Sequence, residues 1–223
     1  MRDDPAPVTA AVQPLLVLGT HNFAPEVFDL VSEVPGFRVD GFVENLDRER
    51  TSHTIEGLPV YWIEDVARFA GTHRAVCALG TTGRGGFVAE ATAAGLEFAT
   101  IVHPTARVST RSELGAGTIV SAGAIIATRT RLGAHVIVNR GALVGHDVEI
   151  DEFVTIGPGA NVAGLCRIGP RTYIGAGAVV IDRMTVGAES IVGAGAVVTK
   201  DVPANVQVVG VPARVVKEGI TGR

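Results

Sequence analysis

The sequence predicts a chain in two parts, a small α/β unit followed by a solenoid of short parallel strands. Three observations carry this. From Val102 onward every sixth residue is aliphatic, through Val108, Leu114, Val120 and so on to Val198, 17 positions without a slip. Across residues 14–104, apolar runs alternate with segments of helical spacing. From Lys200 the six-residue beat loses phase, in "KDVPANVQVVGVPARVV".

The first part reads element by element. "PLLVLGT" (14–20) is an apolar run ending in glycine and predicts a buried strand. "APEVFDLVSEV" (24–34) has helical spacing, and "FRVDGFVE" (37–44) alternates as a strand. "AVCALG" (75–80) is a second buried run, "GGFVAEATAAG" (85–95) a second helix, and "FATIVHP" (98–104) a last strand. Strand and helix in alternation predict a parallel sheet, whose ligands sit at the carboxyl ends of the strands. Those ends carry Gly19-Thr20-His21-Asn22-Phe23, then Glu44-Asn45, then Gly80-Thr81. No G-x-G-x-x-G follows the first strand, so a dinucleotide site lacks its motif. This half predicts a small polar ligand.

The repeat is neither helical nor simply alternating. If a third of residues were aliphatic, 17 in step would arise roughly once in 10⁸ trials. The residue after each aliphatic is usually small (Gly115, Ser121, Ala127, Gly133, Gly145, Gly157), and four after it comes another small or apolar residue, such as Ala124, Ala142 or Cys166. A period of six fits short flat strands, each ending in a tight corner. The pattern resembles the hexapeptide-repeat, left-handed β-helix proteins. That resemblance implies three hexads per triangular coil, with residues 18 apart stacked and coils about 4.8 Å apart. It also implies that the aliphatic fills the interior and the small residue lets the corner close.

Composition narrows the function. Apolar residues make up 47% and aromatics 5%, so the core is expected to be Val, Ile, Leu and Ala. Net charge is −4 with no Lys/Arg cluster, which argues against nucleic acid or an anionic membrane as partner. No apolar run approaches the roughly 18 residues of a membrane span. Cys77 and Cys166 have no partners at metal-binding spacing and are expected to be reduced, in a cytoplasmic protein. "MRDDPAPVTAAVQP" makes a poor signal peptide, and residues 1–13 are expected to be a flexible tail.

The chemistry centres on "GALVGHDVEID" (141–151). His146 stands two after the aliphatic Val144 and is expected to point outward at a corner, where a histidine can accept a proton near neutral pH. Asp147 could orient the ring and stabilise the imidazolium. Eighteen residues on, the same corner holds Gly164, whose N–H is open to a developing oxyanion. His21 is a ligand-contact candidate on the first strand-end loop. His135 could simply be solvated, and His53, His73 and His103 lie in loops or junctions. His135 and His146 are eleven apart and no H-x4-H occurs, so no metal site is expected.

An α/β half followed by "IVHPTARVS", hexads, "NRGALVGHDVEI", "NVAGL" and "GVPAR" resembles the hexapeptide-repeat sugar acyltransferases, a family that includes sialic acid O-acetyltransferases and nucleotide-4-amino-sugar N-acetyltransferases. The resemblance spans roughly residues 14–216. It implies His146 as general base, Asp147 as the acid that raises its basicity, and Gly164 as the N–H donor to the thioester carbonyl. It places Asn139 near the acceptor and acetyl-CoA in a groove between two solenoids, touching Thr155, Ala176 and Ala194. It further implies a homotrimer, a nucleotide-sugar substrate and a part in polysaccharide biosynthesis; the strand ends offer His21, Asn22, Phe23, Glu44, Asn45 and Gly80 as the residues expected to hold that substrate. The first loop departs from the family pattern G-x-G-G-H-A-R-E. Here it reads G-T-H-N-F-A-P-E (19–26), with Phe23 for the histidine, Pro25 for the basic residue and His21 at a glycine position. "VEN" (43–45) stands where the family tends to show aspartates, which leaves the nucleotide open.

The expected organisation is a tail (1–13), a Rossmann-like α/β sugar-nucleotide-binding domain (14–100), a left-handed parallel β-helix acyltransferase domain (101–202), and a capping strand and tail (203–223). The expected activity is acetyl transfer to an amino group, or to a hydroxyl, of a nucleotide-linked sugar. Two other readings stay open on sequence. One is another hexapeptide transferase such as a serine acetyltransferase, which would carry a helical N-terminal domain instead. The other is a non-catalytic solenoid that binds a ligand or serves as a scaffold, which would not bind acetyl-CoA.

Overall fold

The computed structural model describes residues 12–223. Of the expected tail, residues 1–11 lie outside the described residues, and Gln13 already belongs to the first strand. The first half contains β1 (Gln13–Leu18), α1 (Phe23–Ser32), β2 (Phe37–Glu44), β3 (Thr54–Ile55), β4 (Leu58–Trp62), β5 (Arg74–Cys77), α2 (Gly85–Ala93) and β6 (Glu97–Phe98). The sheet order is β3-β4-β2-β1-β5-β6. β1 lies at its centre, parallel to β2 and β5. Leu15 to Leu18 are fully buried because helices or solenoid cover both faces, which is why this strand reads as an unbroken apolar run. The β3–β4 pairing is antiparallel and sits at the edge, in a stretch for which sequence patterning predicted no element.

The strand expected at 98–104 is divided. β6 stays with the α/β sheet, and β7 (Ile101–Val102) opens the solenoid. Seventeen two-residue strands follow one another from β7 to β23 (Val197–Val198), forming a left-handed parallel β-helix with three faces. Strand partners are 18 residues apart, as in Ile119 with Ile137 and Ile137 with Thr155. The N–H groups reach the carbonyls of the next coil: Leu143 N to Ala160 O and Gly145 N to Val162 O, both 2.8 Å. Inside, Val120, Val138, Ile156, Ile174 and Val192 are fully buried. Each such side chain contributes about 1.5–3 kcal/mol by leaving water.

One detail of the corner differs from expectation. The small residue after the aliphatic does not make the turn. The left-handed residue comes two positions later, on every sixth residue from Gly117 to Gly195, and includes Arg129 and Asp147, each at φ +56°. Gly145 is needed for close stacking instead, since a Cβ there would fall 2.5 Å from the Gly164 nitrogen.

The three faces have different exteriors. Face A carries Ile101, Ile119 and Ile137, all buried in a core shared with Leu15, Val17, Val27 and Val31 of the first half. That shared core fixes the two halves together. Face C points Glu113, Arg131, Glu149 and Arg167 at solvent, with Arg131–Glu113 and Arg167–Glu149 ion pairs at 3.5 Å. Face B points Ile125, Leu143, Asn161, Val179 and Val197 outward, and Ile125 and Leu143 stay 41% and 40% exposed. β24 (Val206–Val209) adds to face A and β25 (Arg214–Glu218) returns antiparallel beside it, closing that end of the stack.

Candidate active site

Two constellations stand on different edges of the prism. The first is a cavity of about 580 Å³ at the junction of the halves. The carboxyl ends of β1, β2 and β5 bring His21, Asn22, Phe23, Glu44, Asn45 and Gly80 to its wall, and Asn139, Arg140 and Pro158 join them from the corner between faces A and B. The structure thus brings these strand-end loops and Asn139 together. Tyr173 and Arg223, which the sequence reading did not single out, also line the cavity.

Glu44 lies in this wall with both oxygens already engaged within the chain. It is 4% exposed. One oxygen accepts from the N–H groups of Asn45, Leu46 and Asp47 at 3.0, 2.8 and 3.3 Å, and the other accepts from the Thr20 hydroxyl. Arg50 lies 3.7 Å from that second oxygen. Burial opposes ionisation of Glu44, yet these hydrogen bonds outweigh it and hold the carboxyl below its ordinary range. Glu44 thus shapes the loop that follows β2 as well as lining the cavity. Asn45 reaches the other way, to Glu90 at 3.0 Å.

Thr155, expected to touch acetyl-CoA in a groove between two solenoids, points outward from face A, which the α/β half covers, and is 1% exposed in the cavity wall. Its hydroxyl donates to Gly80 O at 3.2 Å and accepts from Arg84 at 3.0 Å. Arg84 is itself 1% exposed and has no carboxylate partner among the described residues. Its guanidinium donates to the carbonyls of Thr81, His135 and Val154. Burial pushes its pKa down to about 10. No sequence signal singled it out, because a lone arginine before a helix reads as surface.

His135 is not solvated either. Its ring stacks on Phe153 at 5.1 Å and meets Phe98 edge-on at 4.7 Å. Burial, then the nearby Arg84 charge, lowers its pKa to about 4. Among the described residues, no three His, Cys, Asp or Glu side chains gather as a metal-binding group, and no helix is long and apolar enough to cross a membrane.

The second constellation is the corner between faces B and C, joining β14 (Leu143–Val144) to β15 (Glu149–Ile150). His146 points outward with its side chain 56% exposed. Its Nδ1 lies 2.7 Å from Asp147 Oδ2, and in the neutral tautomer that donates there Nε2 carries the free lone pair. The ring lies over Gly164: a Cβ at that position would fall 2.8 Å from Nε2 and 3.0 Å from Cε1. The Gly164 N–H makes no backbone hydrogen bond within the described chain. Arg129, one coil before Asp147, donates to both its oxygens at 2.6 and 2.7 Å. This clamp first, and the His146 bond second, holds the Asp147 carboxyl far below its usual range. Sequence reasoning missed Arg129, although its place 18 residues before Asp147 was a readable signal. Ala176 and Ala194 lie exposed on the other edge, the A–B corner, rather than beside His146.

The arrangement offers an oriented imidazole base and an open amide donor within one small patch. Both thiols are ill suited to act as nucleophiles. Burial raises Cys77 to about 11 and also raises Cys166, and both side chains are buried.

A family model for bacterial transferase hexapeptide (six repeats) matches residues 165–200. Among solved structures, perosamine N-acetyltransferase from Caulobacter crescentus, in complex with CoA and GDP-perosamine, is 30% identical with a TM-score of 0.85, over 93% of this chain and 99% of that one. The acetyltransferase domain of PglB from Neisseria gonorrhoeae, in complex with acetyl coenzyme A, is 30% identical with a TM-score of 0.84, over 92% and 99%. WeeI from Acinetobacter baumannii is 29% identical with a TM-score of 0.82, over 92% and 100%. A search of curated protein sequences finds no match.

Proposed function

The chain belongs to the hexapeptide-repeat sugar N-acyltransferases, and from that premise we propose that it transfers an acetyl group from acetyl-CoA to an amino group of a nucleotide-linked sugar. The observation that carries this reading is the His146–Asp147 pair set over Gly164. His146 Nε2 takes the proton from the sugar amine as nitrogen attacks the thioester carbonyl. The Gly164 N–H receives the oxyanion of the tetrahedral adduct. Collapse breaks the C–S bond, and the proton passes to the leaving thiolate, giving amide and free CoA. Asp147 fixes the tautomer that leaves Nε2 able to accept, and Arg129 fixes Asp147.

The cavity is the proposed nucleotide-sugar site. It lies along face A and the A–B corner, whereas His146 stands on the B–C corner, with face B between them. One chain therefore separates the two parts of the reaction. A homotrimer with face B turned toward the three-fold axis joins them, because the A–B corner of one protomer then meets the B–C corner of the next. The apolar exterior of face B supports that orientation, beside the alternating charges of face C. In this arrangement Ala176 and Ala194, on the A–B corner, are the proposed acetyl-CoA contacts opposite a neighbour's His146. The atypical first loop, with His21 and Phe23, is the proposed selector of sugar and base. Cytoplasmic polysaccharide biosynthesis is the proposed setting.

The direct test is a panel of amino and hydroxy nucleotide sugars with acetyl-CoA, read by thiol release. Turnover with an amino sugar is expected. Turnover confined to a hydroxyl acceptor would move the reading to O-acetylation, and acetylation of free serine alone would overturn it.

A further inference from the structure

The last five residues do not hang free. From β25 they return to the seam between the halves. Ile220 is 9% exposed and exchanges hydrogen bonds with Asn205, its N–H to Asn205 O at 3.1 Å and its carbonyl from Asn205 Nδ2 at 2.9 Å. The Gly222 N–H donates to Glu189 O at 2.8 Å. Arg223 then meets the buried Thr82 through three bonds: its carbonyl accepts from Thr82 N at 2.8 Å and from the hydroxyl at 3.0 Å, and its N–H donates to that hydroxyl at 2.8 Å. Gly222 has φ +72°, and a Cβ there would fall 2.8 Å from Arg171 O. The seat thus accepts this segment closely.

Its result is to set the Arg223 side chain in the cavity wall, with Cζ 4.5 Å from the centre of the Tyr173 ring. The charges around it are already matched. Arg140 is paired with Glu26 at 2.6 Å, and Glu44 is held by its loop, Thr20 and Arg50. Arg223 has no side-chain carboxylate partner among the described residues, and it is an exposed residue of the cavity wall. Behind the same loop lies Arg84, a second cation without a carboxylate. Arg223 is therefore a cation of the cavity wall without a side-chain carboxylate partner among the described residues.

We propose that residues 219–223 are a built part of the nucleotide-sugar cavity and that the Arg223 guanidinium binds the diphosphate of the ligand. The fork of N–H donors suits two phosphate oxygens, and the Tyr173 face keeps the guanidinium plane in place. This rests on the cavity being the nucleotide-sugar site.

Calorimetry on the full chain with GDP and UDP, against guanosine and uridine, tests it. The wild-type protein is expected to bind one diphosphate far more tightly than its nucleoside. Arg223→Ala should weaken that diphosphate about 10- to 100-fold and leave the nucleoside and acetyl-CoA affinities unchanged. Arg223→Lys should recover part of the loss, since it keeps the charge but not the fork. Equal diphosphate affinity in Arg223→Ala and wild type would overturn the assignment alone. Wild-type protein that binds neither diphosphate would overturn the nucleotide-sugar reading with it. An unchanged melting temperature in Arg223→Ala, whose three backbone-directed bonds to Thr82 persist, separates lost binding from lost folding.

Discussion

The cavity and the corner at His146 are built by opposite means. The cavity draws its walls from stretches far apart in the chain, encloses about 580 Å³, and rests on buried groups such as Glu44, Thr155 and Arg84 whose polar atoms are occupied. The corner is four residues long and open, and each reactive group is placed by the coil above or below it. Arg129 holds Asp147 from one coil, and Gly164 lies under His146 from the next. A repeat with fixed spacing positions a few groups accurately without enclosing anything. An enclosed, ligand-shaped site needs a second kind of fold packed on the first. The proposed enzyme uses each where it is suited, the cavity for recognition and the corner for proton transfer.

The largest expected effect separates the two. His146→Ala should lower kcat about 10²–10⁴-fold with little change in the affinity for the nucleotide, which the cavity rather than the corner holds in the proposed reading. Thiol release and calorimetry on the same preparation would check this, and an unaltered kcat would end the proposed role of the histidine.

Next comes the joint between the two sites. Leu143→Glu places a charge on the apolar exterior of face B, and sedimentation should then show dissociated protomers with turnover falling by more than about tenfold. Arg131→Ala, on face C, removes only an exposed ion pair and should change stability by less than about 1 kcal/mol, with the assembly intact. A dissociated Leu143→Glu protein with full activity would mean that one chain holds a complete site.

A smaller effect is expected within the corner. Gly164→Ala puts a methyl group against the imidazole. The exposed ring can swing away, so the fold should survive, but the base is then misplaced and kcat should fall up to about 10²-fold. Normal turnover in that variant would mean that the ring need not lie over residue 164.

The smallest expected effect belongs to the seam beside the cavity. The folded pKa of His135, about 4, lies below its ordinary 6.5. The unfolded chain therefore binds more protons between these values, and the contribution of His135 to stability is full above about pH 6.5 and lost as pH falls toward 4. His135→Phe keeps the stack on Phe153 and should flatten the melting temperature over that window, removing up to about 1.4 kcal/mol per pH unit. Phe153 already tolerates the same left-handed backbone, at φ +58°. An identical slope in wild type and variant would assign the acid sensitivity elsewhere.

Much of the corner was legible before any coordinates. Val144 and Ile150 mark the beat, the 18-residue coil puts Gly164 beneath His146, and Asp147 is next in the chain. Arg129 was readable by the same arithmetic and was overlooked. The cavity was legible only as a neighbourhood of strand ends. Glu44 and Asn45 are consecutive, yet one turns inward to bind its own loop and the other reaches Glu90. Thr155 obeys the repeat like its neighbours, and only the domain packed on face A removes it from the surface.

The sequence by itself determined the solenoid and the stacking at the His146 corner, because a local period of six converts chain position directly into position in space. It also pointed to the strand ends that line the cavity, since parallel α/β sheets place ligand sites at their carboxyl ends. Only the tertiary structure decided which exterior face is covered, which is charged and which is left apolar. It alone brought Tyr173 and Arg223 to one cavity, buried Arg84 behind its wall, and turned the Glu44 carboxylate onto its own loop. Those outcomes depend on packing between segments more than fifty residues apart, where no periodicity relates one residue to another and only the shared core of Ile101, Ile119 and Ile137 with β1 and α1 fixes the geometry.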